Sequence, residues 1–302
     1  MKFAFPKIKN RKNLRYQIIR RLFGLKHLLL LQFKESHGYY PDIDHPLSLS
    51  QKLMWIKLHH RLDDLSPYVD KLKARDFVSK TIGEAYLIPL LGVFDSFDEI
   101  DFDTLPNQFV MKASHGCKWN IIVKDKNNFN KQQAEMKFNR WLKMTYGTVS
   151  GETCYRPLKG KILIEKYLEE ESGYLTDFKF YCCNGQPLGL HVDFDRFGQP
   201  TYRVYDTQWQ ELLKSKPSLP VPPILAKPSN FDDMLELCRK LSAGFSYVRV
   251  DLYNLNNQIY FGELTFTPGD GRAVFNPVWA DYFFGEPLDI KTYRPRFCDQ
   301  KT

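Results

Sequence analysis

The sequence predicts an α+β fold, and three observations carry that prediction. Near the C-terminus, Val248, Val250 and Leu252 alternate with Arg249, Asp251 and Tyr253, then a polar turn over Asn254 to Gln258 leads into an apolar, aromatic strand from Ile259 to Phe266. Short strand patterns also fill the stretch from Gly160 to Tyr205, most clearly in Asp177 to Tyr181, where polar and aromatic residues alternate. Helical periodicity marks several separate segments in front of and between these strands.

In chain order, Leu14, Ile18, Leu22, Leu25 and Leu29 fall at helical spacing within a basic arm. Helices are expected over Ser48 to Leu58, with Ser48 positioned as a cap, and over Pro67 to Lys80. Asp95 to Pro106 reads as an acidic loop. Phe109 to Lys112 is a short strand that delivers a lysine into the turn Ser114, His115, Gly116, Cys117, and Ile121 to Val123 is the strand beyond it. A helix is expected over Lys131 to Tyr146 with Phe138, Trp141 and Leu142 inward, followed by a flexible connection over Gly147 to Gly160. Lys216 to Pro228 holds too many prolines for regular structure. Phe231 to Ser242 is amphipathic and leads back to the Arg249 strand.

Composition frames the function. The chain has 302 residues, 43% of them apolar and 15% aromatic, enough for one large or two moderate domains with real cores. Its net charge of +8 suggests nucleic acid until the charge is located. Residues 1–34 hold ten Lys or Arg and no acid; of 43 basic residues, the other 33 face 35 acids, so the rest is balanced and no nucleic-acid partner is expected. Two readings of the arm stay open: a helix packed on its own domain, the commoner arrangement, and a peripheral membrane contact through residues 1–34 on an anionic surface. The apolar run Leu28 to Leu31 is too short to span a bilayer, which needs roughly 20 residues. Lys26 and His27 interrupt any signal-peptide core. Six scattered cysteines, at 117, 154, 182, 183, 238 and 298, have no metal-site spacing and fit a reduced, cytoplasmic protein.

Three segments carry candidate chemistry. On the hairpin, Arg249, Asp251 and Glu263 share a face; the acids fall opposite or diagonal and can share a hard cation such as magnesium, or form a cross-strand ion pair with the arginine. In the turn after Lys112, backbone N–H groups can meet phosphate oxygens while the lysine supplies a point charge, although one glycine usually marks only a tight turn. At the end of the strand Ile162 to Leu168, exposed backbone groups can pair with an adenine edge and the acids Glu169, Glu170 and Glu171 can accept from ribose, or they form a solvated turn. His191 and Asp193, with Asp195 and Arg196 beyond, fit either the acceptor side of a site or a solvated strand edge.

Together these motifs resemble the ATP-grasp superfamily, and within it the teichuronopeptide-biosynthesis (TupA-like) family of cell-surface polysaccharide proteins. The resemblance runs from about Pro46 to Phe284 through PLSLSQKLMWIKL (46–58), VDKLKARDFV (69–78), IGEAYLIPLLGVFD (82–95), LPNQFVMKASHG (105–116), ILIEKYL (162–168), and VRVDLY with GELTFTPGDG (248–271). It implies two α+β lobes clasping ATP, and a division into a basic helical arm (1–45), an N-terminal α/β region (46–110), an ATP-grasp core (111–290, lobes about 111–168 and 169–290) and a tail (291–302).

Carried over residue by residue, the resemblance makes Lys112 a phosphate lysine, Ser114, His115 and Gly116 its cover loop, and Lys71 an earlier nucleotide-contacting lysine with Arg75 as competitor. Glu165, Lys166, Tyr167 and Leu168 become the adenine hinge and Glu171 the ribose acid. Lys179 and Arg249 meet the transferred phosphoryl group, and Asp251 and Glu263 hold Mg²⁺. Thr265 joins them as the third metal-site residue: it stands where many relatives have asparagine, and its hydroxyl can still coordinate or orient a metal ligand, although the second magnesium site is weaker for the exchange. The implied reaction is ATP-dependent joining of a carboxylate, expected to be a sugar acid of a surface polysaccharide, to an amine or amino acid through an acyl phosphate, at the inner face of the cytoplasmic membrane. Two other classes are kept: a binding or scaffold protein that has lost catalysis, favoured by Thr265, and a glycosyltransferase, whose D-x-D spelling occurs at Asp193 to Asp195 without a glycine-rich site after it.

Overall fold

In the computed structural model of the chain, residues 8–195, 198–212 and 222–297 are described. Arg196, Cys298, residues 1–7 of the arm and residues 213–221, which include the first part of the proline-rich stretch, lie outside that set. Seven helices, α1 (Ile8–His37), α2 (Leu49–His59), α3 (Ser66–Val69), α4 (Lys73–Ile82), α5 (Lys131–Leu142), α6 (Phe231–Ser242) and α7 (Trp279–Gly285), pack around two antiparallel sheets among the described residues.

The smaller sheet has the order β1 (Leu90–Phe94), β4 (Ile162–Lys166), β2 (Phe109–Ala113), β3 (Asn120–Val123). The larger has the order β7 (Thr201–Asp206), β6 (Gln186–Phe194), β5 (Asp177–Cys183), β8 (Tyr247–Leu255), β9 (Gln258–Thr265). Two hairpins of the larger sheet turn on residue pairs with positive φ at both positions, Asn184 (48°) with Gly185 (77°) and Asn256 (52°) with Asn257 (63°). Such turns match the right-handed twist of the flanking strands, which fixes the register of β5 on β6 and of β8 on β9.

One face of the larger sheet is apolar. Phe178, Phe180, Leu190, Val192, Val248, Val250 and Leu252 are buried there under Met234, Leu237, Cys238 and Leu241 of α6. Burying each aliphatic side chain contributes roughly 1.5–3 kcal/mol. With that face sealed, alternation along the strands sends Asp177, Lys179, His191, Asp193, Arg249 and Asp251 to the other face. α6 carries Asp232 and Asp233 in its first turn and Arg239 and Lys240 in its last, the arrangement its dipole favours.

The expected helix over Ser48 to Leu58 is α2, with Ser48 and Gln51 forming a reciprocal capping box. The expected helix over Pro67 to Lys80 is instead two, α3 and α4, because the Asp70 carboxylate takes the N–H groups of Leu72 (2.9 Å) and Lys73 (3.0 Å) and starts a new helix. The helix expected to reach Tyr146 stops at Leu142, where one nitrogen of His115 lies 3.1 Å from the Trp141 carbonyl and 3.2 Å from that of Met144. Asp95 to Pro106 contains two 3-10 turns, 97–99 and 102–104, and the connection after Gly147 is anchored by the buried residues Glu152, Thr153 and Cys154.

Candidate active site

The polar face of the larger sheet and the smaller sheet enclose a cavity of about 420 Å³. Lys112 and Glu165 reach it from the smaller sheet, Asp251 and Glu263 from the larger, and Lys71 and Arg75 from the α3–α4 segment. Residues separated by up to 192 positions in the sequence thus share one wall-to-wall space.

Asp251 and Glu263 are direct cross-strand partners in β8 and β9. Just beyond them the register shifts, so that Leu252 pairs with Phe261 and Gly262 is the extra residue. A Cβ at Gly262 would sit 3.0 Å from the Asp251 carbonyl oxygen, so a side chain there would press on the strand that carries Asp251. Arg249 holds Asp251 in a two-pronged contact, Nε to Oδ1 at 2.6 Å and a terminal nitrogen to Oδ2 at 2.5 Å. The same guanidinium donates to Glu263 Oε1 (3.3 Å) and Thr265 Oγ1 (3.2 Å). Both sequence alternatives for this hairpin are therefore present in one arrangement: the acids are paired across the strands, and the arginine is paired with them.

Lys179 lies beside them, bonded to Asp177 and, at 2.7 Å, to Asp193. Asp177, Asp193, Asp251 and Glu263 outnumber Lys179 and Arg249 on this face, but no group of three or more side chains placed to hold a metal occurs among the described residues, so a cation held by Asp251 and Glu263 would need further oxygen ligands from a bound phosphate. Burial pushes the Asp251 carboxyl up, and the neighbouring acids Asp177 and Glu263 push the same way against Arg249 and Lys179. Burial works against the charged Lys179 ammonium, but Asp177, Asp251 and Asp193 hold its proton more tightly than usual. The Thr265 hydroxyl accepts from the Arg249 guanidinium; its strand partner is Arg249, and the acids pair with each other two residues further along.

On the opposite wall, Glu165 accepts from Lys112 at 2.5 Å and from Arg75 at 3.2 Å, while Arg75 also donates to the Ile88 carbonyl at 2.8 Å. The Lys71 ammonium donates to the Gly116 carbonyl, and burial lowers its proton affinity. Lys71 and Arg75, the two competing candidates, thus both line the cavity. Of the turn after Lys112, Ser114 is buried with its hydroxyl accepting from the Lys161 N–H (3.1 Å), and the His115 ring is directed to the end of α5. The wall next to this turn is formed by Cys117, Lys118, Trp119 and Asn120.

A second cavity of about 340 Å³ adjoins the first, with Lys112, Asn120, Glu165 and Tyr253 common to both. Ile88, Val110, Ile122, Leu168 and Leu175 make it largely apolar, and Lys166, Tyr167 and Leu168 run along its edge where β4 ends. Glu169 is taken up by Lys124 and by the Tyr167 hydroxyl (2.8 Å), and Glu170 by Thr176 N (2.7 Å) and Oγ1 (3.0 Å), whereas Glu171 is exposed in the turn beyond.

From the sequence, Glu165 is expected to act through its backbone, and Asp193 fits either an acceptor side or a solvated strand edge. In the structure the Glu165 side chain pairs two cations and Asp193 is a partner of Lys179. The signal for Asp193 was present, since Asp177, Lys179 and Asp193 all fall on the polar phase of their strands.

A sequence profile of the family described as TupA-like ATPgrasp matches residues 51–289. Among solved structures, the chain is similar to D-alanine–D-alanine ligase from Bacillus anthracis complexed with ATP, at 16% identity and a TM-score of 0.45, over 76% of this chain and 66% of that one. It is also similar to N5-carboxyaminoimidazole synthetase from Staphylococcus aureus complexed with ADP, at 14% identity and a TM-score of 0.42, over 72% of this chain and 50% of that one. The chain therefore spans half to two thirds of the length of these two proteins. The sequence has no match among curated proteins.

Proposed function

The chain belongs to the TupA-like ATP-grasp family, and from that premise we propose that it is an ATP-dependent carboxylate–amine ligase working through an acyl phosphate. The observation that carries this reading is the single cavity into which Lys71, Lys112, Asp251 and Glu263 converge. Phosphoryl transfer rests on positioning and charge stabilisation, so a nucleotide-sized space lined by lysines on one wall and paired acids on the other is the required machinery.

Lys112 and Lys71 would neutralise the ATP phosphates, and the apolar second cavity with the β4 edge at Lys166 to Leu168 would take the adenine. Glu171, exposed and uncommitted to the turn that binds Glu169 and Glu170, is the acid assigned to ribose. Asp251 and Glu263 are the residues that would hold Mg²⁺, which when bound would supply charge neutralisation for the transferred phosphoryl group. For those acids to serve a cation, Arg249 must slacken its two-pronged grip on Asp251, which frees the guanidinium for the incoming carboxylate or phosphoryl oxygens. Lys179 sits two strands from Glu263 and would meet the same charge. A carboxylate oxygen attacks the γ-phosphorus and ADP leaves with the P–O electron pair; the amine then attacks the acyl carbon, gives up a proton, and phosphate leaves with the C–O electron pair.

The acceptor is assigned to a sugar acid of a surface polysaccharide and the nucleophile to an amino acid or amine. The test is ADP release in the presence of Mg-ATP, a panel of uronic-acid sugars and amino acids, with mass spectrometry of the product. Release should depend on both substrates and fall at least about a hundredfold in Asp251→Asn, the scale of losing one charge-stabilising group in a transition state. Full activity in that variant rejects the assignment. Absence of any thermal stabilisation by Mg-ATP would instead favour a binding protein without catalysis.

A further inference from the structure

Helix α1 is interrupted at Gly24, whose φ of 80° and ψ of 175° break it into two arms. In a straight helix Tyr16 and Glu35 would stand roughly 28 Å apart at 1.5 Å per residue. Instead the Tyr16 hydroxyl donates to Glu35 at 2.5 Å, and Arg15 reaches the same carboxylate at 3.0 Å. The first arm is thus folded back on the second, and Arg20 pins it further by donating to the Thr148 carbonyl.

This folding divides the leucine stripe of the sequence. Leu25 and Leu29 pack with Phe33 and Met54 against α2, while Leu14, Ile18 and Leu22 turn outward and are 57%, 50% and 68% exposed. Spaced four apart, these three form one continuous face along the outside of the arm, and Arg15 and Arg21 border it on either side at helical angles. An aliphatic stripe held toward water by contacts on its opposite side, and edged by guanidinium groups, is the pattern of a helix lying in a membrane interface.

We propose that this outer face of α1 docks on an anionic phospholipid surface. Charge selects the occupant: residues 1–34 hold ten Lys or Arg and no acid, so a second copy meeting the stripe symmetrically would bring two basic arms together, whereas an anionic lipid surface complements them. The docking is peripheral, since no helix among the described residues is long and apolar enough to cross a membrane.

Co-sedimentation of the full chain tests this with vesicles of phosphatidylcholine alone and of phosphatidylcholine mixed with phosphatidylglycerol. The chain should sediment with the mixed vesicles only, and less so as salt is raised. The triple variant Leu14→Gln, Ile18→Gln, Leu22→Gln should lose partitioning roughly tenfold or more, because it removes the inserting face. The variant Arg21→Gln, made beside the single change Lys12→Gln on the same arm, should weaken it at low salt while keeping the apolar stripe. Unchanged circular dichroism and Mg-ATP stabilisation in each variant would separate loss of docking from loss of fold. Three results overturn the proposal: no sedimentation with the anionic vesicles, undiminished binding by the triple variant, or a dimer that the triple variant dissolves while vesicles remain unbound.

Discussion

Glu152 is the residue whose chemistry departs furthest from its sequence context, a polar connection between two glycines. It is buried, accepting from Thr267 Oγ1 (2.5 Å) and Ser150 Oγ (2.7 Å), and burial followed by repulsion from Asp270 pushes its carboxyl up to about 7 from an ordinary 4.5. The folded protein therefore binds a proton here that the unfolded chain has already released between pH 4.5 and about 7, so this group's contribution to stability is full below 4.5 and is lost as pH rises through about 7. Glu152→Gln keeps the shape without the charge. Its melting temperature relative to the parent should rise as pH goes from the acid side of this window to the alkaline side; a difference that stays flat, or runs the other way, would show that Glu152 is ionised throughout. Nothing in the sequence marks it, because its burial is made by Thr267, 115 positions away. Lys112, Asp251 and Glu263 were legible because strand alternation fixes the face of every second residue. His115 was not, since a turn with a single glycine leaves the direction of its side chains open, and the carbonyls at the end of α5 decided it.

Elements were legible where local signals agreed with tertiary packing. The amphipathic spacing of α6 gave its bounds directly, and the capping serine Ser48 gave the start of α2. The break between α3 and α4 was missed because helical periodicity runs through it, while a single capping carboxylate, Asp70, outweighs periodicity at that point. The close crossing of α2 and α7 was also out of reach, because a glycine at the end of a helix usually serves as a cap. At Gly285 a Cβ would lie 2.3 Å from the Leu49 nitrogen and 2.7 Å from the Ser48 carbonyl carbon, both backbone atoms of the α2 start. Neither can move without dismantling the capping box, and Lys52, which donates to the Gly285 and Leu288 carbonyls at 2.8 Å each, would lose its buried partners. Gly285→Ala should therefore cost about 1–3 kcal/mol, the range for overpacking a tight contact. Denaturant unfolding would measure it; a cost within about 0.5 kcal/mol, as for an ordinary surface change, would mean the helices can part freely.

At the scale of the whole molecule, the two sheets are separate antiparallel units, and their joint wall is a space rather than a core. Phe109, Met111, Ile162 and Ile164 belong to the apolar cluster of the smaller sheet, and Val248, Val250 and Leu252 to that of the larger. What the sheets share is the cavity, with Lys112 and Glu165 on one side and Asp251 and Glu263 on the other. This juxtaposition depended on the resemblance to a known family, since local patterns say which face a residue takes but not which distant strand it meets. A ligand seated there contacts both sheets, so its binding energy should appear as coupled rigidity. With Mg-ATP at about a hundred times its dissociation constant, linkage gives roughly 2.7 kcal/mol of added stability. Hydrogen exchange read strand by strand should then show the amides of β2 and β4 slowed together with those of β8 and β9, and to the same extent where exchange requires global opening. Lys112→Ala should abolish the slowing in both sheets at once, because a nucleotide that no longer holds one wall cannot bridge to the other. Protection confined to β8 and β9 would place the nucleotide on the larger sheet alone, and protection surviving in Lys112→Ala would remove Lys112 from its contacts; either result removes the two-walled site on which the proposed ligase chemistry depends.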